Sequence, residues 1–466
     1  MIQGAELGRE PTPRRGKRLL WLVLLVGLIV AGVLTFRAGS APEIEIESEL
    51  PGIGRRSPIR VAVSESARGL SKVSIDLTQA DRVQEIVTKS YQPRPAWKFW
   101  GEATERDTIA FDVGSETIDG LRAGEATIRV SAWPAPTWAR HPSPSVEQIT
   151  LPVRLTPPPI QVLSTQHYVA QGGSGVVVYQ VGPTSVRDGV EIGDWWFPGF
   201  SLPGREATRF ALFGVPFDLG DPEPIRLVAS DDVGNTAVAS FVDQYFPRDF
   251  RTDTIELGDS FLQRVVPLII AATPEFEEQG GLLDNYLWIN GNLRARNAAT
   301  LAELAEQSRR EFLWSRSFLP MSSGQVMSSF ADRRTYVYEG KEVDQQDHLG
   351  FDLASVRHAE LEAANDGVVV LARYFGIYGN AVVIDHGYGL MSLYGHLSSI
   401  EVEPGENVDR GQVIGRSGQT GLAGGDHLHF TLLIQGKPVN PVEWWDSAWI
   451  RDRLAPKLGE AFSFQP

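Results

Sequence analysis

Two segments, His348-Leu349-Gly350-Phe351-Asp352 and Asp426-His427-Leu428-His429-Phe430, carry metal-binding side chains at strand spacing. Side chains alternate along a β-strand, so residues two apart share a face. Read as strands, the first segment turns His348, Gly350 and Asp352 one way and Leu349, Phe351 and Leu353 the other. The second groups His427 with His429 and sets Leu428 and Phe430 behind them. Two imidazoles and a carboxylate make a three-ligand zinc site with a fourth position open to water. Six of the eight histidines fall between His348 and His429, a clustering that scattered surface residues would not give. The chain has no cysteine, so any such metal must rest on His, Asp or Glu.

The elements that must position these residues follow from pattern. From Met321 onward, short apolar runs alternate with glycines, which fits a small antiparallel sheet. Before it, Phe250 to Ser315 reads as helical. Leu301, Leu304, Ala305, Ser308 and Phe312 keep helical spacing behind Asn297 as an N-cap, and Pro267 breaks the apolar stretch 261–272. A segment such as Leu282 to Asn297 is placed to cover a groove. Further upstream, Val73, Ile75 and Leu77 alternate with polar residues, as do Ile109, Phe111 and Val113, and Ala126, Ile128 and Val130. That is a sandwich pattern, ending at the stiff Pro157-Pro158-Pro159. A second β-rich stretch holds strands at 175–181, 225–229 and 238–242, with a hairpin turn at 230–235. That hairpin resembles the closing hairpin of bacterial immunoglobulin-like modules.

At 466 residues the chain holds several domains, and a net charge of −15 argues against a nucleic-acid partner. Leu19 to Phe36 is an uninterrupted run of apolar and small residues, about 27 Å long as a helix, close to a bilayer's hydrocarbon thickness. Arg9, Arg14, Arg15, Lys17 and Arg18 precede it and Glu43, Glu45, Glu47 and Glu49 follow. The positive-inside bias puts the N-terminus in the cytoplasm and the rest outside. The run is longer than a signal-peptide core, so we read an uncleaved anchor.

His348-x-x-x-Asp352, then Tyr394-Gly395-His396-Leu397, then His427-x-His429 resembles the lysostaphin-type (LytM-like) zinc metallopeptidases that cut bacterial peptidoglycan. Tyr378-Gly379-Asn380, Ile384-Asp385-His386-Gly387, Gly411-Gln412-Val413-Ile414-Gly415 and Gly418-Gln419-Thr420-Gly421 support the resemblance, which covers roughly 318–445. It implies Zn2+ as cofactor, held by His348, Asp352 and His429, with His396 and His427 as the catalytic pair. Zinc there would supply a water that ionises near neutral pH. His427 is then the general base, and His396 the stabiliser of the oxyanion. Asp426 and Thr431 depart from the common pattern, which has proline or a small residue and a glutamate there. Asp426 is read as capping a turn. Some members of that family have lost ligands and act as adaptors for other wall hydrolases. This chain keeps all five site residues.

The expected fold is mainly β and multidomain. A cytoplasmic tail (1–18) leads to a transmembrane helix (19–36) and a linker (37–57). Two immunoglobulin-like β-sandwich modules (58–156 and 160–246) precede a helical connector (250–315). A small antiparallel β-sheet metallopeptidase domain (316–446) and a C-terminal tail (447–466) complete the chain. The expected function is a membrane-anchored zinc endopeptidase of peptidoglycan stem peptides and cross-links. It would sit in the bacterial cytoplasmic membrane with its catalytic domain in the periplasm or cell exterior, and periplasmic proteins could bind its β-modules. The regulatory adaptor is the alternative. Of the other histidines, His386 reads as structural, His358 as exposed and unpartnered, and His141 and His167 as incidental. The pairs Trp195-Trp196 and Trp444-Trp445 read as packing.

Overall fold

The computed structural model describes residues 15–36, 40–92, 101–137 and 141–465, with side chains on the first helix described over 19–33. The chain divides into two compact units, Met1–Pro157 with Asp232–Asn235, and Pro158–Asp231 with Thr236–Pro466.

The first unit opens with the helix Arg15–Phe36. Among the described residues no helix is long and apolar enough to cross a membrane. Beyond Phe36, the sheet Glu43–Ser48, Ser57–Ser64, Arg106–Val113 shares one core with the sheet Arg82–Ser90, Leu70–Gln79, Gly124–Pro134, Ser145–Val153. Val61, Ile75 and Ile128 lie at its centre, as their alternation foretells. The expected linker 37–57 is corrected here. Glu43–Ser48 is a strand paired with Ser57–Ser64, and its Ile44 and Ile46 pack on the core while the intervening glutamates face out.

In the second unit, the 160–246 stretch forms two four-stranded sheets. One is built on Ser174–Val181 and Arg205–Gly214, the other on Ser185–Ile192 and Ile225–Asp231. The expected hairpin Ile225–Asp231 to Thr236–Ala239 is present. Its core does not end at the stretch. Val176, Phe210 and Phe213 belong to the same cluster as Trp314, Phe351, Leu432 and Trp444 of the C-terminal part. The expected tail 447–466 is corrected too. Short helical turns bury Ile450, Leu454, Leu458 and Phe462 in that cluster, because the apolar residues recur at helical spacing.

The expected helical connector begins instead with the strand Thr252–Leu257, rich in β-branched residues. It runs parallel to Asp332–Tyr338, which pairs with Lys341–His348. The helix Asp259–Ala271 continues through Pro267 rather than breaking there. Leu282–Trp288, a wide π-turn Ile289–Leu293 and Arg294–Glu306 run on without interruption, so Asn297 lies inside a helix and caps nothing. Leu262, Val266, Tyr286, Ile289 and Leu293 of these helices share a core with Tyr336 and Ile377.

The C-terminal sheet has eight strands, all antiparallel. The order is Gln325–Ser328, Phe351–Ala354, Leu428–Ile434, Leu390–Leu397, Asn380–Asp385, Gly367–Tyr374, Asn407–Val408, with Lys437–Val439 also on Leu428–Ile434.

Candidate metal centre and cleft

His348 and Asp352 do not share a continuous strand. His348 ends the strand of the three-stranded sheet, the chain breaks at Leu349-Gly350, and Asp352 sits in the eight-stranded sheet. Gly350 makes that break workable. A Cβ there would lie 2.6 Å from His429 Cε1 and 2.7 Å from Thr431 Oγ1, so only glycine leaves room for the His429 ring. Asp352 and His429 are direct cross-strand partners, as are Gly395 and His429. The register therefore brings all three expected ligands together.

Their ligand atoms converge. His348 Nε2 lies 3.0 Å from Asp352 Oδ1 and 3.1 Å from His429 Nδ1, and His429 Nδ1 lies 3.0 Å from Asp352 Oδ1. The outer bonds of each ring settle its tautomer. His348 Nδ1–H donates to Ser329 O at 2.9 Å, which leaves Nε2 a bare lone pair. The Thr431 hydroxyl spends its proton on Leu349 O, so His429 Nε2–H must donate to Thr431 Oγ1 at 3.0 Å, and Nδ1 is bare. With both rings neutral, two lone pairs and a carboxylate oxygen face one another, and a metal ion held by all three, or a proton on one ring, relieves that repulsion. Tetrahedral zinc with bonds of ~2.1 Å sets its ligand atoms ~3.4 Å apart, a few tenths wider than found here. The donor set fits zinc.

Charge supports the same arrangement. Burial alone would raise the Asp352 carboxyl, but His348 and the hydrogen bonds of the three histidines outweigh it and hold the group well below the usual range. Burial pushes His429 down to about 4, a neutral ring suited to coordination. The other oxygen of Asp352, Oδ2, accepts Arg334 Nη2–H at 2.7 Å, a partner that sequence reasoning missed. Arg334 faces the site because Asp332 pairs with His348 and Arg334 with Gln346 along the hairpin.

His396 and His427 stand beside the trio, their ring centroids 4.8 Å apart. Each donates its Nδ1–H to a carbonyl, His396 to Thr420 O at 2.7 Å and His427 to Gly425 O at 2.9 Å. Both therefore offer Nε2 for proton traffic. His427 Nε2 lies 3.5 Å from Asp352 Oδ1. Burial, with His427 and His429 nearby, pushes His396 well below its ordinary value. Burial also works against protonated His427, but Asp352 outweighs it and raises the group. His396 takes a left-handed backbone, φ 67°, a conformation that costs about 1 kcal/mol or more for a non-glycine residue.

The trio and the pair line one cleft of about 350 Å³, with Tyr378, Arg334, Arg294, Tyr286, Phe261 and Glu256 among its other walls. The helices brace its rim. Asn297 Oδ1 accepts Ile377 N–H at 3.1 Å beside Tyr378. Arg264 donates to Ala423 O at 3.3 Å, on the glycine loop before His427. The segment Leu282 to Asn297 thus forms a wall with a packed core rather than a loose cover.

The remaining expectations resolve by their partners. Asp426 accepts Ser417 Oγ–H at 2.6 Å and His358 N–H at 3.2 Å, so it ties two loops together and does not hydrogen-bond to His427. His358 is accordingly not without a partner. His386 is structural, its Nδ1 within 2.7 Å of Asp366 O and its Nε2 hydrogen-bonded to Ser392 Oγ at 2.8 Å. His167 pairs with Asp243 and Ser164. Trp444 is fully buried, while Trp195 and Trp196 are half-buried under Lys437 and Arg187.

Residues 346–441 match the sequence model of Peptidase family M23. The chain is 40% identical over 122 residues to the peptidoglycan DD-endopeptidase ShyA of Vibrio cholerae, covering 26% of this chain and 28% of that one. It is 45% identical over 95 residues to the DD-carboxypeptidase/endopeptidase Mpg of Neisseria meningitidis, covering 20% and 22%. It is also 40% identical over 95 residues to the murein hydrolase activator EnvC of Escherichia coli, covering 20% and 23%. The chain therefore spans under a third of the length of each of these relatives.

Proposed function

We propose that the M23 metallopeptidase domain of this chain hydrolyses peptide bonds in peptidoglycan cross-links as a zinc-dependent D,D-endopeptidase. The observation that carries this reading is the trio of mutually facing acceptors beside two histidines that both offer Nε2. His348 Nε2, Asp352 Oδ1 and His429 Nδ1 would hold the ion. It would supply a polarised carbonyl and an acidified water at the open position. His427 and His396 divide the proton work. One ring would take the proton of the attacking water and hand it on to the leaving amine, and the other, when it carries a proton on Nε2, would steady the developing oxyanion. The relatives named for D,D-endopeptidase activity support the choice of bond.

The helix Arg15–Phe36 serves as a membrane anchor with the catalytic domain in the periplasm or cell exterior. Its large apolar side chains from Leu19 to Val30 are exposed among the described residues, and basic residues precede it. The β-modules, immunoglobulin-like in this reading, space the cleft from the membrane and offer surface to periplasmic proteins. The adaptor alternative draws on the EnvC likeness alone, whereas the complete donor set favours chemistry.

Purified peptidoglycan digested with zinc-loaded protein, beside His429→Ala, tests the reading. Mass spectrometry should show cross-linked dimers converted to monomers by the wild type only. Intact dimers with a folded, zinc-loaded wild type would leave the adaptor reading standing.

A further inference from the structure

The cleft contains a charge that the metal chemistry does not use. Arg334 is spent on Asp352. Arg294, from the helical wall outside the M23 segment, also lines the cleft, and among the described residues it has no ion pair. It is nonetheless held firmly. Its Nε–H donates to Asn290 O at 3.0 Å and its Nη2 to Asn290 Oδ1 at 2.7 Å. Asn290 is fully buried, and its own Nδ2 donates to Asp344 Oδ2 at 2.8 Å. The π-turn Ile289–Leu293 lies between the two residues, a local widening of the helix of the kind that recurs at functional sites.

One edge of the guanidinium is therefore fixed, and the Nη1–Nη2 edge keeps its donors. Two parallel N–H groups on a planar, permanently charged fork match a carboxylate. The position relative to the metal centre is close. Arg294 lines the cleft together with Tyr286 and Tyr378, and the Tyr378 ring stands 5.5 Å from His429. Glu256 lines the same cleft but is exposed and makes no bond to Arg294. Among the described residues no carboxylate pairs with this held guanidinium, which leaves its free edge open to an anionic group on a ligand.

We propose that Arg294 is a substrate-binding residue that reads a free carboxylate on the cross-linked peptide beside the scissile amide. This rests on the endopeptidase reading and narrows its substrate to peptides carrying that acid, against those in which it is amidated or replaced by glycine. A site built to pair a fixed, partly buried charge discriminates against a ligand that lacks the matching acid.

The test uses the full chain and two cross-linked muropeptide dimers that differ only in a free carboxylate or its carboxamide next to the bond. Wild type should favour the acid by about tenfold to a hundredfold in kcat/KM, mainly through KM. Arg294→Gln should cleave both forms alike, and Arg294→Lys should recover part of the preference, with zinc content and melting temperature reported for each. Equal cleavage by wild type, or a preference kept by Arg294→Gln, overturns the proposal. Should wild type cleave neither dimer, the endopeptidase reading fails separately. Calorimetric binding of the same two peptides then decides on Arg294 by the same acid-over-amide comparison.

Discussion

Arg334 Nη2 sits 2.7 Å from Asp352 Oδ2 while Asp352 Oδ1 faces both His348 and His429, so one carboxylate meets a guanidinium with one oxygen and the proposed metal position with the other. The arginine is mostly buried and spends its charge there. It fixes the carboxylate's rotation and limits Asp352 to one oxygen for the metal. Arg334→Met should weaken zinc binding about tenfold to a hundredfold, the range for partners of metal ligands, and Arg334→Lys should restore part of it. Competition against a chelating indicator measures this directly. Unchanged affinity in the folded methionine variant would show that Asp352 orients itself.

The hydroxyl of Thr431 performs a similar service for His429. By donating to Leu349 O it obliges His429 to carry its proton on Nε2 and present Nδ1 to the metal. Thr431→Val keeps the shape and removes the acceptor. We expect about a tenfold loss of zinc affinity with little change in melting temperature of the metal-free protein. Thr431→Ser should bind like the wild type. If serine and valine behave alike, the hydroxyl is not what sets the tautomer.

That these five side chains come together in one cleft was legible in the sequence, because His and Asp at strand spacing point to one face and the antiparallel register then does the assembly. Continuity of strand from His348 to Asp352 was not legible. Alternation is blind to the break at Gly350, where the chain changes sheets to admit the His429 ring. Arg334 and Arg294 were invisible for a different reason. Neither is near the ligands in a motif, and their roles come from a hairpin register and a helix wall that pattern alone cannot dock. Asn297 misled because an Asn ahead of an apolar periodic run usually caps a helix. Here a long-range bond to Ile377 gives its side chain another use. The C-terminal turns were legible in the i+4 recurrence of Ile450, Leu454, Leu458 and Phe462, which the expected tail overlooked.

Glu443 welds the second β-rich stretch to the catalytic sheet. Its Oε2 accepts Ser174 N–H at 2.8 Å and its Oε1 accepts Arg248 Nη2–H at 3.0 Å, while a Cβ on Gly173 would lie 2.5 Å from that same Oε1. Trp444 Nε1–H donates to Ser174 Oγ beside them. Breaking one side of a buried pair costs more than the pair contributes, since the other charge stays behind. Arg248→Met should lower the unfolding free energy by about 3 kcal/mol, and Glu443→Gln by less because the amide oxygen still accepts from Ser174. Chemical denaturation of the two variants and their double mutant gives the coupling. Strictly additive losses would mean that the two residues do not act as a pair.

His386 makes stability depend on acid. Its ring is fully buried, and burial pushes its pKa from 6.5 down to about 4. Above 6.5 neither state binds the proton and the folded ring keeps its bonds to Asp366 O and Ser392 Oγ. Between 6.5 and 4 the unfolded chain takes up a proton that the folded chain refuses, so stability falls as pH falls through that window. The full swing for this group is about 3 kcal/mol. His386→Gln removes the titration. It should be less stable than wild type at pH ~7.5, where the imidazole's bonds are lost, yet show a flatter decline toward pH ~4.5. Urea denaturation at several pH values, with chelator present to set the metal aside, compares the two slopes. Carboxylates contribute alike to both proteins and cancel in the difference. Parallel slopes would mean that His386 is already protonated in the folded chain, and the hydrogen bond from its Nδ1 to Asp366 O would then be charge-assisted rather than neutral.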